Sequence, residues 1–534
     1  MILSIDQNSH SLWDVLPKLQ ALSAGGRQVH HFVEDVDVAF TALGAEAAGE
    51  ALRLARERFH PSGGQDWGAA LFYSEFLGRL PVEPREWEVP LGMKLAAAAK
   101  QLGRSLDDLY EEFSPGDNWQ LIGPSYVGDR EHHRLIGDLT VAETAPFVRE
   151  LLGLARADVL RRFPAPDCRR RAEEWFARET ARVEGMLGRT AGGRLVELYG
   201  AWLGEHLGDA VRLERASSLF AVGADPARTA LLEVFCRDYE RAAGLYNEAV
   251  AETSCGLRGL RTDAGELPFF ACLDRDGHLV RTGVLLERGR LRIGERTLAL
   301  GRGGRLPQAE LSAAGVRCLV GKAAVLVLQA RLTAPLAVPY RGSSYMPAAH
   351  ALAAKLGAAG LLPGPLHPVL RVRFGLLDHM RRSDAPVRLP EHLQAAFGAE
   401  EVPARRIGEG WAAAAAEAGE RLRGFADNAT RRRWQQEACR EVFAEIADLD
   451  TRRRALARTD PKSPEIRQLS HRVRRLEAEL TDRTLRQIAR DWQLSRIDYW
   501  DSRGALLPWA VALGGEGLYA RLLAEAEVRP EPAA

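Results

Sequence analysis

The residues in this chain best suited to chemistry cluster between positions 315 and 380. Lys322, in Val320-Gly-Lys322, stands before an apolar run, Ala323–Val338, interrupted by Gln329 and Arg331. An amine at the entrance of a buried strand could hold a carboxylate or phosphate; the plainer alternative is a lysine snorkelling out of a strand edge. The loop Tyr340-Arg-Gly-Ser-Ser-Tyr345 follows. There Gly342, Ser343, Ser344 and Tyr345 offer backbone N–H groups and hydroxyls to an anion ahead of a helical stretch. Ser343 or Ser344 serves equally as an N-cap. In His367-Pro-Val-Leu-Arg-Val-Arg373, Arg371 and Arg373 lie two apart and share one face of a strand. Such a pair recognises carboxylates or phosphates, or forms surface ion pairs. Gly321-Lys322 is no P-loop, and no Gly-x-Ser-x-Gly elbow surrounds either serine.

A second group of candidates lies in the turn-rich segment 114–134, which carries Asn118, Tyr126, Arg130, His132 and His133. Long ordered loops of this kind carry function. Adjacent histidines diverge on a helix or a strand, so neither His132-His133 nor His30-His31 chelates by itself, and no metal site is expected. Arg503, in Asp498-Tyr-Trp-Asp-Ser-Arg503, either packs the base of a helical hairpin or reaches a ligand. No motif specifies a cofactor.

These residues need a scaffold, and 534 residues are too many for one ordinary core. Hydrophobic content of 46% with 27% charged residues is that of a globular protein. Seventy-two basic residues balance 72 acidic ones, which argues against a whole-chain polyanion binder and leaves room only for local basic patches. The six cysteines form no C-x-x-C pair, as expected of reduced thiols in a cytoplasmic protein. The amino terminus lacks the basic and apolar regions of a signal peptide, and the longest apolar run is too short to span a bilayer. Arginine and alanine richness reads as a GC-rich bacterial genome.

The patterning predicts an α/β, mixed α+β, chain in four consecutive regions. Residues 1–145 read as an N-terminal α/β region, with a strand at Met1–Ile5, a helix over Ser11–Leu22 and a strand near residues 28–39. Thr140 and Glu143 form a capping box before a helix. Residues 146–258 read as helical, one helix opening at Asp225-Pro226 and running through Tyr246. Residues 259–410 hold a β-meander with turns at Asp276-Gly277, Arg288-Gly289 and Gly294-Glu295, then the α/β unit, then a connection over 383–409. In residues 411–534, Val442, Ile446, Leu449 and Leu456 face Ile466, Leu469, Val473, Leu476 and Leu480 across Pro461 and Pro464. That spacing describes an antiparallel coiled-coil hairpin.

The order of the second half, residues 315–534, resembles the bacillithiol-biosynthesis cysteine-adding enzyme family. An apolar strand, a Gly-containing loop and helix, a Pro-bounded strand with arginine, a long hairpin, an arginine and a terminal LLPWAVALGGEGLYARLL helix follow one another. The resemblance implies a Rossmann-like core, homodimerisation through the hairpin, and a role for Arg503. It also implies a ligase that joins an amino acid such as cysteine to an amino-sugar conjugate. The family's Thr-Gly-Gln-Gln-Pro-Gly-Leu loop has no counterpart here, so the catalytic base is unassigned. The expectation is an enzyme-like protein binding a small anionic metabolite through Lys322, Gly342–Tyr345, Arg371 and Arg373, with neither a membrane nor a nucleic acid as partner. The alternative is a non-catalytic coiled-coil assembly protein on a degenerate α/β core. A third reading is nucleic-acid binding through Arg431–Arg433, Arg452–Arg454 and Arg474–Arg475, set against the plainer one of solvated helix faces balanced by nearby Glu and Asp.

Overall fold

The computed structural model describes residues 1–5, 13, 15–41, 84–106, 109, 133–253, 255, 257–275, 277–339, 345–389, 391–497 and 505–531. The chain is mixed α/β and divides into two compact units, each discontinuous in sequence. Unit 1 comprises Met1–Glu57, Asp117–Leu376 and Tyr499–Ala534; unit 2 comprises Arg58–Gly116 and Leu377–Asp498.

In chain order the strands are β1 (Ile2–Ile5), β2 (Val29–Val33), β3 (Val38–Thr41), β4 (His133–Leu135) and β5 (Val211–Arg215). Then come β6 (Glu266–Arg275), β7 (His278–Glu287), β8 (Arg290–Ile293), β9 (Arg296–Ala299) and β10 (Val316–Gly321). The last are β11 (Leu336–Pro339), β12 (Val369–Arg373), β13 (Pro386–Arg388), β14 (Glu401–Pro403) and β15 (Glu527–Pro530).

Unit 1 holds two sheets. The first has the order β15-β12-β11-β1-β2-β5, parallel throughout except for β15. Every residue of β1 and β2 is buried, as central parallel strands covered on both faces must be. Chain order runs outward from β1 in both directions, through β2 and β5 on one side and β11 and β12 on the other. The second sheet is antiparallel, in the order β10-β6-β7-β4-β3, with β8 and β9 extending from β7. Strands β6 to β9 are the meander, turned at Gly277, Gly289 and Gly294 with positive φ. A continuous apolar core joins the faces, with Phe235, Leu267, Phe269, Cys318, Leu328 and Leu352 among its buried members.

Local signals set several helix ends. The Thr140–Glu143 capping box opens Val141–Arg162, and the Asp225 carboxylate accepts from Ala227 and Arg228 N–H at the start of Pro226–Arg237. The helix expected to run on through Tyr246 breaks at Asp238, and Tyr239–Thr253 is a second helix. The first helix starts at Leu16 rather than Ser11, with Pro17 in its first turn. The terminal helix Leu506–Ala524 is interrupted at Gly514 and Gly515, where Gly515 has φ +71°. There the Arg171 guanidinium caps the freed carbonyls of Ala512 and Leu513 at 2.9 and 3.0 Å.

The apolar run after Lys322 corrects an expectation. It is not a strand: Ala324–Arg331 is a helix, and only Leu336–Pro339 is extended. Short apolar runs are ambiguous between buried helix and buried strand, and here the strand is the segment before the lysine. Lys322 therefore stands at the exit of β10, not at a strand entrance.

Unit 2 is mainly helical. Residues 383–409, read as a connection, contain the β13–β14 pair, the helix Glu391–Phe397 and the start of Ala404–Phe425. Helices Arg440–Thr459 and Pro464–Leu494 pack through Val442, Leu449, Leu469, Val473, Leu476 and Leu480. Ion pairs Arg472–Glu445 and Arg452–Glu465 show that the two helices run in opposite directions. A second cluster around Trp87, Leu95, Phe425, Leu485 and Ile488 covers the other end of Pro464–Leu494. Among the described residues no helix is long and apolar enough to cross a membrane.

Candidate functional site

The Gly321–Ala323 turn joins β10 to the helix Ala324–Arg331 in two residues. A side chain at Gly321 would strike the backbone of Val325 and Leu326 at about 2.5 Å, so the strand and the helix can approach only through glycine. Ala323 adopts φ 35°, ψ −93°, a conformation that alanine rarely occupies. No side chain caps the helix that follows. Strain of this kind persists only where the surroundings hold it, and it gathers at functional turns.

Lys322 projects from this turn onto Glu266 at the start of β6, with Nζ to Oε1 at 2.6 Å. Arg258 donates to the same oxygen at 2.5 Å, and Arg261 donates to Oε2 from its backbone N–H at 2.9 Å and its side chain at 3.3 Å. Tyr239 donates to the Glu266 carbonyl. The Glu266 side chain is buried and that of Lys322 half-buried, whereas Arg258 and Arg261 are 55% and 64% exposed. Three cations thus meet one carboxylate, with the two arginines reaching solvent above a buried floor.

Burial alone would raise the Glu266 carboxyl, but the hydrogen bonds from Arg258, Lys322 and the Arg261 N–H outweigh it and hold that group well below the usual carboxylate range. Burial also pulls the Lys322 ammonium below the ordinary lysine value, a shift that Glu266 only partly offsets.

The strand register extends the site. Phe270 pairs with Val320 and Gly283, and Cys272 with Cys318 and Arg281, so Phe270, Cys272, Cys318 and Arg281 share one face of the antiparallel sheet. Lys322 lies 5.0 Å and the Arg281 guanidinium 4.5 Å from the Phe270 ring centre. Arg281 also pairs with Asp37 at 3.0 Å and donates to the Val36 carbonyl. Val36 and Asp37 follow β2, so the cluster adjoins the carboxyl ends of the parallel strands. Beside it, Asp35 accepts from the Ser217 N–H at 2.7 Å and from its hydroxyl, tying the end of β2 to the end of β5. Cys272 and Cys318 are free and buried, and the Cys318 thiol is pushed well above its usual value by its hydrogen bond with Cys272 and by burial.

The residues expected from sequence fall in different places. Lys322 belongs to the cluster just described. Arg371 and Arg373 do share a face of β12, but they pair with Glu531 at 2.9 Å and Glu527 at 4.0 Å, on and just beyond the neighbouring β15. Lys322 and these arginines lie in different sheets with different carboxylate partners. Tyr345 is half-buried, and its carbonyl accepts from Ala349 N–H at the start of Met346–Ala358. Gly342, Ser343, Ser344, Arg503, Asn118, Tyr126, Arg130 and His132 lie outside the described residues, and His133 begins β4.

His30 and His31 engage separate partners. His30 lies 3.5 Å from Glu214, with its ring 4.1 Å from that of Phe32; His31 is fully buried against the Ser4 hydroxyl at 3.1 Å. Burial lowers the pKa of both, further for His31, so both imidazoles are neutral near pH 7. Among the described residues no group of three metal-ligating side chains converges.

Arg258, Arg261, Glu266, Phe270 and Arg281 were not picked out from sequence. Two arginines three apart, a glutamate opening a strand and an arginine inside a meander look like ordinary surface charge until β6, β7 and β10 pair. No known family matches the chain, and no curated protein is similar to it.

Proposed function

We propose that this chain is an enzyme-like protein with a Rossmann-like core that binds a small anionic metabolite beside Lys322. The observation that carries the reading is the convergence of Lys322, Arg258 and Arg261 on the single carboxylate of Glu266. That set holds two more cations than anions, and the two exposed arginines present guanidinium forks suited to a carboxylate or phosphate. Phe270, flanked by Lys322 and Arg281, offers an apolar wall for the remainder of such a ligand. The strand order points to the same end of the parallel sheet. In open parallel sheets ligands bind outside the carboxyl ends of the strands, where chain order reverses, and here the reversal falls between β1 and β11.

Within that class, the resemblance to the cysteine-adding enzymes of bacillithiol biosynthesis supplies the reaction to try first, carbon–nitrogen bond formation between cysteine and an amino-sugar conjugate. The hairpin, read as a coiled coil, would then serve assembly.

A thermal-shift and calorimetry panel of inorganic phosphate, malate, amino-sugar malates, cysteine and nucleotides tests the reading. Anionic members should raise the melting temperature of the wild type. Lys322→Met and the double variant Arg258→Gln, Arg261→Gln should each weaken binding by about tenfold or more, the loss expected for charge-assisted contacts. The proposal fails if no anion shifts the wild type, or if the variants bind as well as the wild type does.

A further inference from the structure

The distal part of the unit 2 hairpin carries charge that the chain does not balance locally. Between Glu445 and Leu476 there are nine arginines and lysines against five carboxylates, in a chain whose net charge is zero. Arg452, Arg453 and Arg472 are paired with Glu465, Asp450 and Glu445. Six others, Arg454, Arg458, Lys462, Arg467, Arg474 and Arg475, are exposed and form no ion pair among the described residues. The carboxylates left over here are Asp448 and Asp460, and Glu477 lies one turn beyond Arg474, which leaves a surplus of three positive charges at the hairpin end.

The helix geometry aims this surplus outward. Leu449 and Leu456 of one helix and Leu469, Val473 and Leu476 of the other fill the seam. At 100° per residue, Arg454 and Arg458 lie on the side of their helix away from that seam, as do Arg467 and Arg474 on theirs. Arg454–Arg458 are one turn apart and Arg467–Arg474 two turns apart, so each pair forms a cationic stripe along its helix.

We infer that this hairpin end is a docking surface for the phosphate backbone of a nucleic acid. Five of the six free cations are arginines, whose planar forks match phosphate oxygens. A membrane is a poorer fit, because among the described residues the only exposed large hydrophobic side chains are Met1 and Val89, so the tip has no apolar face to insert. A second copy of the same tip would bring like charges together.

The test is fluorescence anisotropy on the full chain with labelled duplex RNA, duplex DNA and single strands. Binding should weaken steeply between about 50 and 200 mM salt, with a log–log slope of about −3 to −5, as release of counterions from four to six phosphates requires. Arg454→Gln, Arg458→Gln, Arg474→Gln, Arg475→Gln together should weaken binding by at least about tenfold and flatten the slope by about 3. The far-UV spectrum and any anion-induced thermal shift should be unchanged. The smaller variant Arg467→Gln, Arg474→Gln should lose about half of that slope change, which holds the inference to account if the fourfold variant misfolds. Equal binding by wild type and either folded variant overturns the inference. So do the absence of binding at low salt, binding insensitive to salt, and retention on phosphatidylserine vesicles without nucleic-acid binding. Preference among the RNA, DNA and single-strand arms identifies the form bound.

Discussion

The Nζ of Lys322 and the Oε1 of Glu266 lie 2.6 Å apart, and the carboxylate they share with Arg258 and Arg261 links β10, β6 and the segment leading into β6. Removing one member of a buried ion pair strands the other, which costs about 3–5 kcal/mol. Glu266→Gln strands the Lys322 ammonium and should lower unfolding free energy by about 3 kcal/mol in urea titrations. Lys322→Met leaves Glu266 its bonds from Arg258 and Arg261 and should cost less, about 1–2 kcal/mol. The double variant should lose clearly less than the sum, because neither charge is then left buried alone. Additive losses would show that the two side chains are not coupled.

Gly92 has φ +72°, and a β-carbon there would lie 2.1 Å from the Arg431 guanidinium. Arg431 cannot easily retreat, since it donates to the Phe425 carbonyl at 2.6 Å and to Asn428 at 2.9 Å. Gly92→Ala should destabilise by about 1–3 kcal/mol from backbone strain and this clash. In an Arg431→Ala background the same substitution should cost less, leaving only the backbone part. Equal costs in the two backgrounds would dismiss the clash.

Glu531 gives unit 1 a pH dependence. Burial would raise its carboxyl, but His350 and Arg371 pull it down to about 2 in the folded chain, from an ordinary value of 4.5. The unfolded chain therefore binds the proton more tightly. The stabilisation is complete above about pH 4.5 and is lost as pH falls through about 2, amounting to about 3 kcal/mol. Stability of the Glu531→Gln variant should be flatter with pH over that window. An unchanged slope would remove Glu531 as its source.

Arg171 caps the carbonyls of Ala512 and Leu513 where Gly514 and Gly515 interrupt the terminal helix. Arg171→Ala should cost about 1–3 kcal/mol, the penalty for leaving buried acceptors unpaired. Hydrogen exchange should accelerate within Leu506–Ala524 first, with Arg171→Lys intermediate. Loss of protection spread evenly over the chain would point to a general packing defect instead.

Much of the local structure was legible because its causes are local. Asp225 followed by Pro226 starts a helix wherever it lies, since the carboxylate takes the orphan N–H groups of its own first turn. Period-two alternation and glycines with positive φ mark β6 to β9, and the leucine–valine spacing marks the hairpin seam. The segment after Lys322 was not legible. Ala-Ala-Val-Leu-Val-Leu satisfies a buried helix as well as a buried strand, and the choice was made by Gly321, which lets the chain turn tightly onto β10.

Residue types and spacing by themselves determined the helix starts, the meander, the hairpin seam and the chemical promise of Lys322, because each depends on neighbours within a few turns or strand steps. Tertiary structure alone decided which charges meet. The pairing of β6 with β7 and β10 gathers Glu266, Phe270, Arg281 and Lys322, while β15 claims Arg371 and Arg373. Electrostatic partners are set by distance in space, and a chain that crosses between two sheets gives that distance no trace in its order.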